Sequence, residues 1–336
     1  MLRLRLISIL LPLLLLTSGF GQNFFPILGG QRVGTSVFTF LKIGVSARAV
    51  GMGEAVAALA QDGSAMYYNP AALGQNRDTE VLATHIKWPA DINYDFMGVT
   101  GNIFGNHFLG VSAGILHMAP MMETTEYQPD GTGNYFSFQN HFIGLTYSSR
   151  MTDRFSFGIT AKRVEEDLAG NVMSVWLLDM GTFYWTGFKS LRFSAVLSHF
   201  GPQAGLDGTF SKKVLDKFTG EEIITDTDYQ IFSAPTVFRV GIAMELLESE
   251  RQRLTGSVQL NHPVDDAENV VMGMEYAFLK SLVLRGGYKF NKDEETFSYG
   301  VGFKIPLGKL KFRVDYAYTN FIHLTDPVRI SVGVSL

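Results

Sequence analysis

Between about Glu80 and Leu336, apolar and polar residues alternate with a period of two. In Leu310-Lys311-Phe312-Arg313-Val314-Asp315-Tyr316-Ala317-Tyr318, one face carries Leu, Phe, Val, Tyr and Tyr and the other carries Lys, Arg, Asp and Ala. Phe155 to Lys162, Leu191 to Ala195, Leu282 to Phe290 and Val328 to Leu336 repeat the pattern. Successive side chains of a strand point to opposite faces, so this period predicts strands with two chemically different sides. Fourteen segments are expected, at about 80–88, 94–104, 107–117, 136–149, 154–165, 172–185, 191–199, 236–246, 253–260, 269–278, 282–290, 297–305, 310–318 and 328–336. Most hold about 9 to 12 residues, enough to cross a bilayer at a tilt, whereas strands of a soluble sandwich centre on about 5 or 6.

The connections fall into two alternating classes. Short turns are expected at 105–106, 150–153, 186–190, 247–252, 279–281 and 306–309, and polar loops at 89–93, 118–135, 166–171, 200–235, 261–268, 292–296 and 319–327. Such alternation places tight turns on one rim of a barrel and loops on the other. The strand charges Lys162, Arg192, Arg285, Lys289, Lys311, Arg313, Asp315 and Arg329 take the parity opposite to the large apolar residues. A charge on the lipid face costs about 2–4 kcal/mol near the midplane, so these residues are expected to line a lumen. Residues 80–336 therefore predict an all-β fold, a 14-stranded antiparallel transmembrane β-barrel, monomeric, with a polar interior. Trp88, Trp185, Phe104, Tyr147, Phe278 and Tyr318 near strand ends fit interfacial girdles.

Composition narrows the functions open to such a barrel. Charged residues make up only 18% of the 336, and 35 are glycine. The chain has no cysteine, which excludes disulfides, thiolate metal sites and thiol catalysis. Its net charge is −4, or −6 without Arg3 and Arg5 (26 basic minus 32 acidic residues), so nucleic acid is not an expected partner. The histidines at 85, 107, 117, 141, 199, 262 and 323 lack metal-ligand spacing, and the acidic runs 165–167 and 265–266 read as solvated rims. No catalytic constellation emerges, and neither a metal nor a cofactor is expected.

The first 79 residues differ in character. Arg3 and Arg5, an apolar run from Leu6 to Leu16 and small residues up to Gly21 have the order of a secretory signal peptide, so residues 1–21 are expected to be cleaved. Residues 22–79 are rich in alanine and glycine, with a helical or irregular period, and predict a hatch or plug housed in the barrel or across its mouth. Arg48 lies in an alanine and glycine run, where a buried guanidinium needs an acceptor, and Glu54 and Asp62 are the near candidates. Asn69-Pro70 reads as a turn or helix start. Gly51-Met52-Gly53 is not a dinucleotide fingerprint, because position 56 is Val and no strand precedes it.

The run Gly44-x-Ser46-Ala47-Arg48-Ala49-x-Gly51-Met52-Gly53-x-Ala55, followed by Asp62-x-x-Ala65-x-Tyr67-x-Asn69-Pro70-Ala71-x-Leu73, resembles the signature of PorV/PorQ family outer-membrane proteins, relatives of the FadL long-chain fatty-acid transporters. About thirty residues carry the motif. Gln61-Asp62 stands where the family often has paired aspartates, and Ala72 where it usually has glycine. The resemblance implies a fourteen-stranded barrel in the outer membrane of a Gram-negative bacterium, in contact with its lipid. It also implies a non-enzymatic role in type IX secretion and cell-surface attachment, with the secretion machinery or its exported substrates as partners. The alternative it carries is a FadL-like transporter of hydrophobic compounds that leave through a lateral opening beside the hatch. Arg48, Gly51, Gly53, Glu54, Asp62, Asn69 and Pro70 are the candidate hatch residues, and the loop 200–235 is long enough to dock a partner or cap the mouth.

Overall fold

The structure is a computed structural model that describes residues 33–59, 62–76, 78–215, 222–279 and 281–336. The signal peptide expected at 1–21 lies outside the described residues. Fourteen strands form a closed antiparallel barrel. In chain order they are β1 Glu80–Lys87, β2 Asn93–Phe104, β3 His107–His117, β4 Phe138–Arg150, β5 Phe155–Leu168, β6 Asn171–Trp185, β7 Arg192–Phe200, β8 Val237–Glu248, β9 Gln252–Pro263, β10 Asn269–Phe278, β11 Leu282–Phe290, β12 Glu295–Leu307, β13 Leu310–Phe321 and β14 Val328–Ser335. Each strand pairs with its neighbour in sequence, and β1 closes on β14 from Glu80 opposite Ser335 to Lys87 opposite Val328. Closure leaves no barrel edge exposed, the condition for strands to lie in hydrocarbon.

The alternation in sequence becomes an inside and an outside. On β3 every second residue is buried, while Leu109, Val111, Ala113 and Ile115 face out. Met272 and Met274 of β10, and Ile330 and Val332 of β14, extend the apolar outer belt. Short turns join the strands at one rim, with Gly105 and Gly308 at positive φ, and most of the long connections lie at the other. The connection at 169–170 departs from the expected loop. β5 and β6 run 14 and 15 residues and meet in a two-residue turn with Ala169 and Gly170 at positive φ. Inside the 200–235 connection, Thr209–Leu215 and Glu222–Asp228 form a separate hairpin.

The described residues between 33 and 79 run lengthwise through the barrel. At the loop rim Val37 N donates to Ser233 O and Phe38 N to Glu166 Oε2, and at the turn rim Asp78 pairs with Lys311. Between them lie two short helices, Ala47–Gly51 and Ala65–Tyr68, and two 3-10 turns, Thr39–Lys42 and Pro70–Gln75. No helix among the described residues is long and apolar enough to cross a membrane, which says nothing of the strands.

Candidate functional site: the plug and its seat

The plug packs on two chemically different half-walls. Toward β2–β6 the inner wall presents Tyr94, Phe96, Phe108, Leu116, Phe142, Val175 and Phe183, all buried. Plug residues Phe40 and Tyr67 join this aromatic cluster, with ring centroids 6.0 Å apart for Phe40 and Tyr94 and 6.1 Å for Tyr67 and Phe96. The interior, expected from strand parity to be polar at least in part, is apolar in this half, because charges mark only some inward positions and large apolar side chains fill others. Trp88 and Trp185 also leave the expected girdle. Trp88 packs edge-on to Phe321 beneath the Arg329 guanidinium, and Trp185 Nε1 donates to Gln75 of the plug at 3.0 Å.

Toward β9–β14 the wall is ionic. Arg48 Nε donates to Glu275 Oε2 at 3.0 Å and its Nη1 to Asp62 at 3.1 Å. Arg285 bridges Glu275 at 2.8 Å and Asp315 at 2.7 Å. Arg313 reaches Asp62 at 3.2 Å, Glu80 at 2.8 Å and Asp315 at 2.9 Å. Three arginines and four carboxylates thus form one linked network between plug and wall, of the kind a low-dielectric interior requires if charge is to be buried at all. Burial opposes ionisation of Asp62, but the Arg313 and Arg48 guanidiniums overcome that and hold its carboxyl well below the usual range.

The remaining candidates are distributed as follows. Glu54 is not an Arg48 partner and instead pairs with Lys289 at 2.8 Å. Lys162 is buried against Asp179 at 2.6 Å, Arg192 against Glu245 at 2.7 Å, and Arg329 donates to the Gly44 carbonyl at 3.0 Å. Lys311, at the turn rim, is the most exposed of the charges expected in the lumen and pairs there with Asp78 at the end of the plug. Glu275, Asp179 and His199 are inward-facing residues not singled out from sequence. Glu275 and Asp179 have inward strand parity, but nothing local distinguishes them, whereas His199 has the outward parity of β7 and is turned inward where its φ is positive and the register with β6 shifts.

The motif glycines fit against glycines of the wall. A Cβ on Gly287 of β11 would stand within 3.0 Å of Gly53 N and Met52 C, and one on Gly273 of β10 would stand 2.5 Å from Met52 O. Gly51 lies against Gly300 of β12, where a Cβ would be 3.1 Å from the facing Cα. Across the barrel, Gly158 and Gly181 leave room for Asn69-Pro70-Ala71. Gly51-Met52-Gly53 and Asn69-Pro70 are therefore places where plug backbone touches wall backbone.

Asn69 caps the Pro70–Gln75 turn. Its Oδ1 accepts from Ala71 N at 3.0 Å, and its Nδ2 donates to Ala57 O at 2.7 Å and Thr182 O at 3.2 Å. Pro70 takes the first helical position, where its missing N–H costs nothing. Asn69→Ala should cost about 1–3 kcal/mol, from a lost cap and a stranded buried carbonyl, read as a lower melting temperature of the folded barrel in detergent.

Two cavities bear on what the barrel could bind. One, of about 210 Å³, lies at the loop rim between the plug and β8–β12, lined by Glu54, Tyr68, His199, Arg239, Asp265 and Lys289 among others. The other, of about 610 Å³, is a groove on the outside of β1–β4 and β14. Its sides are Ala83, Met97, Ala113, Ile115, Ile143, Ile330 and Val332, and its floor holds Phe96, Gly114 and Phe142 of the inner aromatic cluster. The strand register across β2–β3–β4 is continuous at Gly114, so the wall there is thin but closed.

Several solved structures share this architecture. The CymD monoaromatic hydrocarbon channel is similar, with a TM-score of 0.56 and 15% identity over 87% of this chain and 96% of that one. The toluene transporter TbuX of Ralstonia pickettii gives 0.55 and 14%, over 87% and 98%. A FadL homologue of Pseudomonas aeruginosa gives 0.51 and 9%, over 91% and 99%. The fold is FadL-like. At these identities the likeness is one of architecture. No protein-family model matches the sequence, and no curated protein matches it. The comparisons lend no support to the PorV/PorQ assignment in particular.

Proposed function

We propose that this FadL-like barrel is a non-enzymatic outer-membrane channel for small hydrophobic molecules. In this reading the turn rim, where β1 begins and β14 ends, faces the periplasm and the loop rim faces outward. The observation that carries the proposal is the meeting of the buried aromatic cluster with the apolar outer groove at Gly114, where one glycine separates an aromatic interior from a lipid-facing hollow. Neighbouring barrels described as a monoaromatic hydrocarbon channel and a toluene transporter support the substrate class.

The test is toluene entry into cells of a Gram-negative host expressing the protein. Entry should exceed that of the empty-vector strain. Gly114→Leu should remove most of the increase while the barrel still folds, since even a Cβ at 114 falls within 3.0 Å of the Phe142 ring. Unchanged entry with a folded Gly114→Leu barrel would rule out this route. The type IX secretion role rests on the motif order alone. Co-purification with secretion proteins, together with no toluene entry, is the result that would favour it.

A further inference from the structure

The cavity at the loop rim is polar, and its charges are unevenly paired. Its carboxylates are each held by a lysine: Asp265 by Lys42, Asp266 by Lys292, and both Glu54 and Glu295 by Lys289. Arg239 of β8 has no carboxylate partner among the described residues. Its one hydrogen bond, Nη1 to Ser198 Oγ at 2.7 Å, uses a single one of the five donors a guanidinium carries.

Beside it, His199 is fixed in one tautomer. The Lys162 ammonium lies 2.9 Å from Nδ1 and can only donate, so Nδ1 accepts and Nε2 carries the hydrogen. His199 is 1% exposed, and Nε2 completes no hydrogen bond; the Leu41 carbonyl, which accepts from Tyr67 Oη at 2.5 Å, is its nearest acceptor. Tyr68 is 3% exposed, and although the Ser46 backbone N–H approaches its oxygen, the hydroxyl hydrogen has no acceptor. Buried donors are normally satisfied, and two orphans lining the cavity that holds an uncompensated arginine describe a site with its acceptor missing.

We propose that this cavity binds a small organic carboxylate, with Arg239 as charge partner and His199 Nε2 and Tyr68 Oη as the neutral donors. The volume of about 210 Å³ admits on the order of ten non-hydrogen atoms. Asp265 Oδ1, also buried and unpartnered, offers an acceptor for a hydroxyl at the ligand's other end. The site adjoins the aromatic cluster through Tyr67, but most of its lining residues are polar, and the inference rests on Arg239 and the unsatisfied donors and not on the hydrocarbon reading.

The experiment is isothermal titration of the full chain in detergent with 4-hydroxybenzoate. The comparators are p-cresol, which replaces the carboxylate by a methyl, and inorganic phosphate. Saturable 4-hydroxybenzoate binding is expected, at least about tenfold tighter than either comparator. Arg239→Gln should weaken it on the order of ten- to a hundredfold and Tyr68→Phe by about tenfold or less. Absent binding, equal binding of p-cresol or phosphate, or unchanged affinity in a folded Arg239→Gln barrel would overturn the proposal. Should Arg239→Gln fail to fold, unchanged affinity in Tyr68→Phe would overturn it instead.

Discussion

Replacing Arg48 with alanine should loosen the plug and raise the conductance of the barrel to small ions above that of the wild type. Arg48 is the plug's own cation in the ionic network, and its loss leaves Glu275 and Asp62 facing each other with only Arg285 and Arg313 to share. Breaking a buried pair by removing one partner costs about 3–5 kcal/mol, because the remaining charge stays in low dielectric. Planar-bilayer conductance of the purified protein is the direct readout, and the melting temperature of the folded form is the second. Wild-type conductance and melting in the variant would mean that packing alone seats the plug. The pH dependence has a definite sign. Because its pKa is depressed in the folded state, Asp62 contributes stability above the ordinary aspartate value of about 3.9, and that contribution is lost only as pH falls through the lower folded value. Asp62 should therefore keep its pairing with Arg48 and Arg313 at pH 4.

The second large effect is steric. Gly287→Ala should expel the Gly51-Met52-Gly53 segment from its seat, since the added carbon meets backbone that cannot yield. Overpacking of this kind costs about 1–3 kcal/mol and occasionally more. The adjacent Gly286 supplies an internal control, because a Cβ there meets nothing within 4 Å. Gly286→Ala should match the wild type in conductance and melting, and Gly287→Ala should depart from it in both. Equal behaviour of the two variants would contradict the backbone-contact account of the motif.

The strands were legible because a two-faced strand writes its geometry into every second residue. All fourteen expected segments form barrel strands, and the misplaced loop at 166–171 failed because a two-residue turn with Ala169 at positive φ carries little composition signal. The plug was legible as a motif but not in its reasons. Gly53 needs Gly287, and Arg48 needs Glu275, 227 residues away. Such pairings depend on the register of distant strands, and no local pattern encodes them. Arg239 had inward parity in Val237-Phe238-Arg239, yet only the three-dimensional surroundings reveal that no carboxylate answers it. The aromatic half-wall was missed for the opposite reason. Parity separates two faces but does not say which large apolar residues turn inward once a plug is there to receive them.

The lengthwise course of residues 33–79 constrains how the molecule is assembled. The chain passes from one rim to the other, and its bonds reach strands around the circumference, including Ala47 N to Ser331 Oγ at the β14 side of the final seam. A cylinder already sealed and filled to contact distance offers no route for threading such a segment afterward. The N-terminal stretch is therefore expected to be in place before the seam between β1 and β14 closes over it.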